Sequence, residues 1–355
     1  MRLGVVLEQC LAPVPGGTGR YSLELALALH RTAPPGWELL GMTALHRRAR
    51  LPALPFPVRQ LPLPRRALVV AWERGHRPSA RVDVLHALTP LHPQRSGTPL
   101  VVTVHDAVPW THPETLTPRG AEWHRRMVGR AATTADLLVV PTQAVADELA
   151  RHVALREVLV VGEGVSADLA LPSDADRRAA ALGLPERFLL TVSTLEPRKG
   201  LRRLVEALDA LDEDLPLLCV GQAGWGDTGV APDRVRLLGR VPDADLAVLL
   251  RRATALVVPS LDEGFGLPLL EGMSLGTPVL TSDAPALVEV AGGAALAVPL
   301  AELGEGLRRI TSDESLRSRL REAGPRRAAT YTWDGAAETL WRAYARLGED
   351  GLRQA

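Results

Sequence analysis

Two glutamates, Glu263 and Glu271, lie eight residues apart around a Gly-Phe-Gly turn in the stretch LDEGFGLPLLEG. The preceding run ALVVPS (255–260) has the composition of a buried strand, and the apolar run that begins near Leu267 is typical of a helix. Carboxylates accept hydrogen bonds from sugar hydroxyls, and a helix N-terminus favours a phosphate. The spacing therefore predicts that the two glutamates bind opposite ends of one ligand that has hydroxyls on both sides of a phosphate.

A second cluster, TLEPRKG (194–200), also follows a predicted strand and precedes a predicted helix. Arg198 and Lys199 in that position would meet a diphosphate, the arginine as a planar fork of donors and the lysine as a point charge. Lys199 is the only lysine of the chain. All the other residues of the Lys and Arg set are arginines, a bias typical of GC-rich coding. Either Lys199 remains by chance, or arginine does not suit this position. We interpret the pair as a diphosphate clamp.

Two further motifs lie in the first half of the chain. PGGTGRY (15–21) has two consecutive glycines that allow the backbone to approach a ligand closely. It lacks the GxGxxG spacing of a dinucleotide site, so a plain flexible loop is the alternative. VVTVHD (101–106) ends a predicted buried strand with His105 and Asp106. A lone histidine is more often structural, but the strand terminus favours a functional role here.

Composition excludes several classes of protein. The formal net charge is zero, so no global field attracts nucleic acid. No run approaches the roughly 18 apolar residues of a membrane span, and the N-terminus lacks the pattern of a signal peptide. No set of histidine, cysteine and carboxylate residues has convincing metal-ligand spacing, so we expect neither a metal nor a cofactor. These features predict a soluble, cytoplasmic protein.

The order of the apolar runs predicts an α/β fold. Runs that are apolar on both faces alternate with helical patterns, which is typical of a parallel sheet covered on both sides. The pattern restarts after LPSDAD (171–176), which is the best candidate linker. With 355 residues, the chain is long enough for two doubly wound domains. The predicted strands are 3–8, 81–88, 99–106, 135–142, 158–165, 188–193, 216–222, 235–240, 255–260, 278–283 and 294–299.

The segment between Glu38 and Glu73 has no acidic residue and is rich in proline. Its arginines are Arg47, Arg48, Arg50, Arg59, Arg65 and Arg66. One interpretation is a solvated, irregular connection. The other is a surface that meets an anionic acceptor or an anionic membrane.

Together, the Glu-x7-Glu segment, TLEPRKG, PGGTGRY and VVTVHD resemble the family 4 retaining glycosyltransferases of the GT-B fold. The resemblance covers nearly the whole chain, with the motifs in the expected order. It implies two Rossmann-like, doubly wound domains that face an interdomain cleft. Residues 1–170 would bind the acceptor, and residues 171–332 would bind a nucleotide sugar. A C-terminal helix, about 333–350, would pack back on the first domain.

The resemblance also implies roles for individual residues. Catalytic roles fall on His105, Arg198, Lys199 and Glu263. Donor-binding roles fall on Gly16, Gly17, Thr18, Arg240, Val241, Leu246, Phe265, Gly266, Leu267 and Glu271, and acceptor-binding roles on Arg20, Tyr21 and Asp106. Two departures stand out: Arg240 replaces an aromatic residue that is often found there, and VVGEGVSADL (160–169) differs from the common Pro-Asn-Gly-Val form.

We therefore expect metal-independent hexose transfer with retention, onto a glycan, a lipid-linked or a small-molecule acceptor. GDP-mannose is the first donor hypothesis, with rhamnose and glucose donors left open. A protein with a lipid-linked acceptor would contact the inner face of the membrane peripherally. The alternatives are a sugar-nucleotide epimerase of the same architecture, which turns over the donor alone, and an inactive surface-binding module, against which the intact glutamates and cations argue.

Overall fold

The computed structural model describes residues 1–48, 50–76, 79–95, 97–209, 211, 215–222 and 235–354, and only the backbone of 350–354. The chain forms two compact units. Unit 1 comprises Met1–Glu163 and Thr332–Ala355, and unit 2 comprises Gly164–Tyr331. The predicted linker 171–176 lies within unit 2, because the 3-10 turn Ala167–Leu169 already belongs to that unit and buries Leu169.

Among the described residues, the core of unit 1 is a seven-stranded sheet in the order β3-β2-β1-β4-β5-β6-β7, with parallel pairing throughout. The order reverses between β1 and β4, and open α/β sheets bind ligands at the carboxyl ends of such strands. The strands are β1 (Arg2–Val6), β2 (Glu38–Leu45), β3 (Val58–Pro64), β4 (Val84–Ala87), β5 (Leu100–Thr103), β6 (Leu137–Val140) and β7 (Val158–Val160). The helices are α1 (Gly16–Arg31), α2 (Arg65–Glu73), α3 (Val108–Thr111), α4 (Pro118–Thr134) and α5 (Gln143–Ala150).

Unit 2 repeats this plan with a parallel sheet in which six strands are described, in the order β10-β9-β8-β11-β12-β13. The order reverses between β8 and β11. The strands are β8 (Leu189–Val192), β9 (Leu217–Val220), β10 (Arg236–Gly239), β11 (Ala255–Val258), β12 (Val279–Ser282) and β13 (Leu296–Val298). The helices are α6 (Ala175–Ala181), α7 (Leu201–Leu208), α8 (Asp243–Arg252), α9 (Leu267–Ser274), α10 (Pro285–Ala291), α11 (Leu303–Ser312) and α12 (Glu314–Ala328).

The last helix, α13 (Trp333–Gln354), returns to unit 1 and packs on α1. The indole Nε1 of Trp341 donates to the carbonyl of Leu29 at 3.2 Å. The Arg31 guanidinium pairs with the Asp334 carboxylate, with Nε 3.1 Å from Oδ1. No described helix combines the length and the apolarity needed to cross a membrane.

The prediction of two parallel, Rossmann-like sheets is confirmed, but two local predictions were wrong. The segment between Glu38 and Glu73 is not an irregular connection, because it forms β2, β3 and α2. The prolines of β3 argued against a strand in the sequence, but β3 lies at the edge of the sheet, where proline is tolerated. The sequence predicts a glycine loop over PGGTGRY and a helix from about Tyr21. Helix α1 instead begins at Gly16, so the two glycines lie in its first turn. The sequence pattern LRRLVEALDAL (201–211) predicts a helix, and the structure has α7 there, ending at Leu208. Residues 210 and 212–214 lie outside the described residues.

Candidate active site

The loops that follow β8 and β11 are held together at the point where the strand order of unit 2 reverses. The backbone N–H of Leu261 donates to the carbonyl of Arg198 at 2.9 Å, and the Arg198 guanidinium donates to the carbonyl of Asp262 at 3.0 Å. Gly200 has a φ of +68°, and a Cβ there would lie 2.0 Å from the carbonyl oxygen of Pro259. Only glycine therefore permits this approach of the two loops.

This approach brings together the two motifs that the sequence had indicated separately. Nζ of Lys199 lies 2.6 Å from Oε1 of Glu263, and the hydroxyl of Ser260 donates to the same oxygen at 2.7 Å. Nη1 of Arg198 lies 3.3 Å from Oε2 of Glu263, and its Nη2 lies 3.7 Å from Oε1 of Glu196. Both cations and both carboxylates are largely withdrawn from solvent.

The Glu263 carboxylate is ionised over the whole physiological range. Burial alone would raise its pKa, but the charges of Lys199 and Arg198 and the hydrogen bonds from Lys199 and Ser260 together lower the pKa to about 2. The carboxylate thus fixes both cations at the amino ends of α7 and α9. The first N–H groups of a helix have no partner within the helix. Fixed cations and helix N-termini at one sheet edge can bind a diphosphate.

The Gly-Phe-Gly turn leads directly into α9. Gly266 caps the helix with a φ of +94°, and a Cβ there would lie 2.4 Å from Cδ2 of Leu287. The Phe265 side chain is buried, with its ring centroid 5.3 Å from that of Tyr331 in an edge-on contact. The Arg327 guanidinium donates to the Tyr331 hydroxyl at 2.9 Å. The Phe265 ring therefore anchors the turn, and its predicted contribution to donor binding would come from the backbone.

The remaining predicted donor residues of unit 2 occupy two helices and one loop. Glu271 and Leu267 are buried in α9. Arg240 is exposed and Val241 is half-buried in the loop before α8, and Leu246 is buried within α8. Their contact with a nucleotide stays a prediction. Across the described ranges, no group of three or more histidine, cysteine and carboxylate residues could hold a metal ion.

In unit 1, His105 follows β5 and is fixed by one hydrogen bond. Its Nε2 lies 2.9 Å from the carbonyl oxygen of Leu88, so Nε2 carries the proton. Burial lowers the pKa of His105, although the Leu88 hydrogen bond and the charge of Asp106 partly oppose this shift. The ring is consequently neutral at pH 7, and its Nδ1 can accept a hydrogen bond from a hydroxyl group.

The other predicted residues of unit 1 lie in α1 and just before α3. Gly16 and Gly17 are exposed in the first turn of α1, and Thr18 and Arg20 are half-buried. The Asp106 carboxylate accepts the backbone N–H of Val108 at 3.1 Å, at the start of α3. Tyr21 is only 2% exposed, and its hydroxyl lies 3.2 Å from that of Thr103. Direct acceptor contacts by Arg20, Tyr21 and Asp106 stay predictions, and the burial of Tyr21 favours an indirect role.

The sequence interpretation missed a charged cluster at the carboxyl end of β1 and β2. Glu8 is 2% exposed, and its carboxylate accepts the backbone N–H of Ala44 at 2.8 Å. Nε2 of His46 lies 3.0 Å from Oε1 of Glu8, and Nε of Arg65 lies 3.5 Å from it. The available signal was an acidic residue at the end of the predicted strand 3–8, but Glu8 belongs to none of the motifs that indicated the site.

Two family profiles together match most of the chain. "Glycosyltransferase Family 4" matches residues 15–169, and "Glycosyl transferases group 1" matches residues 172–327. A D-inositol 3-phosphate glycosyltransferase from Actinosynnema mirum is 31% identical over 78% of this chain and 75% of its own length. A phosphatidyl-myo-inositol mannosyltransferase from Mycobacterium leprae is 27% identical over 99% of both chains. The O-antigen chain mannosyltransferase B of Escherichia coli is 33% identical, but over 52% of this chain and 54% of its own.

Solved structures share the fold at low sequence identity. A sucrose-phosphate synthase from Thermosynechococcus elongatus has a TM-score of 0.79 and 22% identity, covering 98% of this chain and 99% of its own. Anabaena HepE in complex with UDP-glucose has a TM-score of 0.73 and 18% identity, covering 98% of this chain and 100% of its own. The profiles, the relatives and the two parallel sheets agree. The chain belongs to glycosyltransferase family 4 and has the GT-B fold.

Proposed function

We propose that this glycosyltransferase moves a hexose from a nucleoside-diphosphate sugar to an acceptor with retention and without a metal ion. The observation that carries the proposal is the pair of cations, Arg198 and Lys199, held by Glu263 at the amino ends of α7 and α9. A leaving diphosphate needs its developing negative charge stabilised. Fixed cations and helix N-termini supply that stabilisation from the protein itself.

In the proposed reaction, the diphosphate takes Lys199 and Arg198 as partners, and Glu263 then accepts hydrogen bonds from hydroxyls of the sugar. Glu271 would hold the ribose, and the backbone at Phe265 and Gly266 would donate to the donor. The bond between the anomeric carbon and the leaving oxygen breaks, and the acceptor oxygen attacks the same face. A leaving phosphate oxygen takes the acceptor proton. The neutral His105 would orient a hydroxyl at the reacting centre.

The donor hypothesis remains GDP-mannose. Its support is the resemblance of the PGGTGRY and TLEPRKG segments to those of mannosyltransferases, together with the two relatives named as mannosyltransferases. The complex of HepE with UDP-glucose makes a uridine-linked glucose the first competitor. The relatives named above are transferases, and they do not support the epimerase hypothesis.

For the acceptor, we propose a molecule with a phosphate group, either small or part of a lipid. The names of two relatives specify a phosphatidyl-inositol and an inositol phosphate. In this chain, the side chains of Arg47, Arg48 and Arg50 are exposed beyond β2, and Arg65 begins α2 beside the buried Glu8. A basic surface of this kind would also favour peripheral contact with an anionic membrane.

The test is a panel of sugar nucleotides that includes GDP-mannose, UDP-glucose and a rhamnose donor. Binding is measured by calorimetry, followed by nucleotide release with and without inositol phosphate and with vesicles containing phosphatidylinositol. We expect one donor to bind and its nucleotide to be released faster with acceptor. The anomeric proton coupling of the product reports retention. Turnover of the donor to an epimer without any acceptor would overturn the proposal.

A further inference from the structure

A buried row of hydrogen-bonded side chains runs from α13 toward His105 within unit 1. Nδ1 of His86 lies 2.6 Å from the hydroxyl of Tyr344, and its Nε2 lies 2.8 Å from the hydroxyl of Thr103. The Thr103 hydroxyl lies 3.2 Å from that of Tyr21. All four side chains are at most 2% exposed. Helices α13 and α1 and strands β4 and β5 each contribute one member.

The hydrogen-bonding chemistry of these side chains allows only two arrangements of the protons around His86. Burial lowers the pKa of His86 to about 3, so the ring is neutral and carries a single N–H. If Tyr344 donates to Nδ1, then Nε2 donates to Thr103. If Nδ1 donates to Tyr344, then Thr103 donates to Nε2. Each hydroxyl therefore depends on the orientation of its neighbour, and loss of one member leaves a buried polar group without its partner.

This row of hydrogen-bonded side chains ends beside His105. The ring of Tyr21 lies perpendicular to that of His105, with the centroids 4.6 Å apart. The Tyr21 ring also contacts the ring of Trp333, the first residue of α13, with the two centroids 5.8 Å apart. The hydrogen bond from His105 to Leu88 fixes one edge of the imidazole, and the ring of Tyr21 limits its rotation about that bond. Tyr21 is itself fixed by the Thr103 hydroxyl and by Trp333.

We propose that Tyr21 is a positioning residue for His105, and that His86 and Tyr344 extend this role to the final helix. The inference rests on the proposed function, because it presumes that His105 meets a hydroxyl at the reacting centre. It assigns to α13 a part in the chemistry as well as in folding. It also replaces a direct acceptor contact by Tyr21 with an indirect one.

The first experiment is a set of substitutions in two backgrounds. Tyr21→Leu removes the ring from His105, and Tyr21→Phe removes only the hydroxyl. With the donor that the panel identifies, Tyr21→Leu should lower kcat about ten-fold and leave the donor KM unchanged, whereas Tyr21→Phe should lose only a few-fold. In the His105→Ala background, Tyr21→Leu should lower kcat less than about two-fold further, because residues that act through one another are not additive. Additive losses in the two backgrounds would overturn the proposal.

The second experiment needs no sugar donor, so it remains informative if the proposed function fails. Long-range ¹H–¹⁵N spectra report the tautomer of each histidine ring. The wild type should show His105 with its proton on Nε2. Tyr21→Leu and Tyr344→Phe should both shift the His105 signals, the latter less. Arg346→Gln, which removes an exposed ion pair of α13 with Glu157, should leave the His105 signals in place. Unchanged His105 signals in Tyr344→Phe would overturn the assignment to α13.

Discussion

The ammonium group of Lys199 lies 2.6 Å from the Glu263 carboxylate, although the two residues are 64 positions apart in the chain. Each side chain is mostly buried. Removal of one member of such a pair leaves a buried charge uncompensated, which costs far more than an exposed ion pair contributes. The pair therefore links the loop after β8 to the loop after β11 and holds the lysine in place before a ligand arrives.

Replacement of Lys199 by alanine is expected to slow transfer on the order of 10²-fold, as with other lost charge stabilisers. The donor dissociation constant should rise as well, because the diphosphate loses one cation. Steady-state kinetics and calorimetry with the identified donor measure both effects. The same substitution leaves Glu263 with fewer partners, so the melting temperature must be measured alongside.

The matched control for this prediction is Arg202→Ala, which removes an exposed cation from the same stretch of chain. It should leave kcat and donor affinity unchanged. Lys199→Arg then decides why lysine is present. Full activity in that variant would mean that the single lysine is a coding accident, and normal transfer by Lys199→Ala would remove Lys199 from the mechanism.

The low pKa of Glu263 makes a prediction about acid stability. Its folded pKa of about 2 lies below the ordinary value of 4.5, so the ionised carboxylate stabilises the fold above pH 4.5 and loses this contribution as pH falls toward 2. The contribution at neutral pH is on the order of 3 kcal/mol. The melting-temperature difference between wild type and Glu263→Gln should therefore shrink between pH 4.5 and pH 3. A constant difference over that range would contradict this assignment.

Much of the fold was predictable because buried parallel strands are apolar on both faces. The strands β4, β5, β6 and β11 were all predicted, each with bounds wider than the structure shows. Strand β2 was missed although it is buried, and strand β3 was missed because its prolines and exposed polar residues carry no such pattern. A sequence pattern records burial, and an edge strand is only partly buried.

For the candidate site, the sequence supplied the residue types but not the pairings. It located Arg198, Lys199 and Glu263 in two loops after strands, and parallel topology places such loops at one edge. It could not show that Glu263 pairs with the cations, because that depends on the close approach at Gly200. The sequence also could not show the hydrogen bond between His86 and Tyr344, since these residues are 258 positions apart.

The low pKa of His86 predicts a second loss of stability in acid, which begins at a higher pH than the loss caused by Glu263. Burial lowers its folded pKa to about 3 from an ordinary value of 6.5. The unfolded chain thus binds more protons between these values, and stability falls as pH drops below 6.5, by up to about 1.4 kcal/mol per pH unit. Urea unfolding at pH 7 and pH 5 should show a smaller acid loss in His86→Gln than in wild type. Equal losses in both proteins would show that His86 does not govern this range.

Metal independence is tested by chelation. The proposed mechanism assigns charge stabilisation of the leaving group to Arg198 and Lys199, so transfer should survive prolonged dialysis against EDTA. The measurement is the initial rate before and after dialysis, with a re-addition series of Mg²⁺ and Mn²⁺. If the rate is lost and only a divalent cation restores it, the proposed source of charge stabilisation is wrong.

The last prediction concerns the basic segment after β2. Arg47, Arg48 and Arg50 are exposed, and each arginine near an anionic surface adds up to about 1 kcal/mol, an attraction that salt screens. Their combined replacement by glutamine should raise the KM for a phosphate-containing acceptor, more at 20 mM than at 500 mM salt, conditions that bracket a Debye length of roughly 10 Å. The donor KM should not change, because the proposed contacts to the diphosphate, the sugar and the ribose come from unit 2 and none of the three arginines is among the proposed donor-binding residues.

The matched control is the triple replacement of Arg119, Arg151 and Arg156 by glutamine, which removes three other exposed arginines of unit 1. Both variants lose the same net charge, so a general effect of charge would raise the acceptor KM equally in the two. A rise confined to the Arg47, Arg48 and Arg50 variant assigns acceptor capture to this segment. If neither variant changes the acceptor KM at any salt concentration, the arginines are only solvated, and the acceptor is recognised elsewhere.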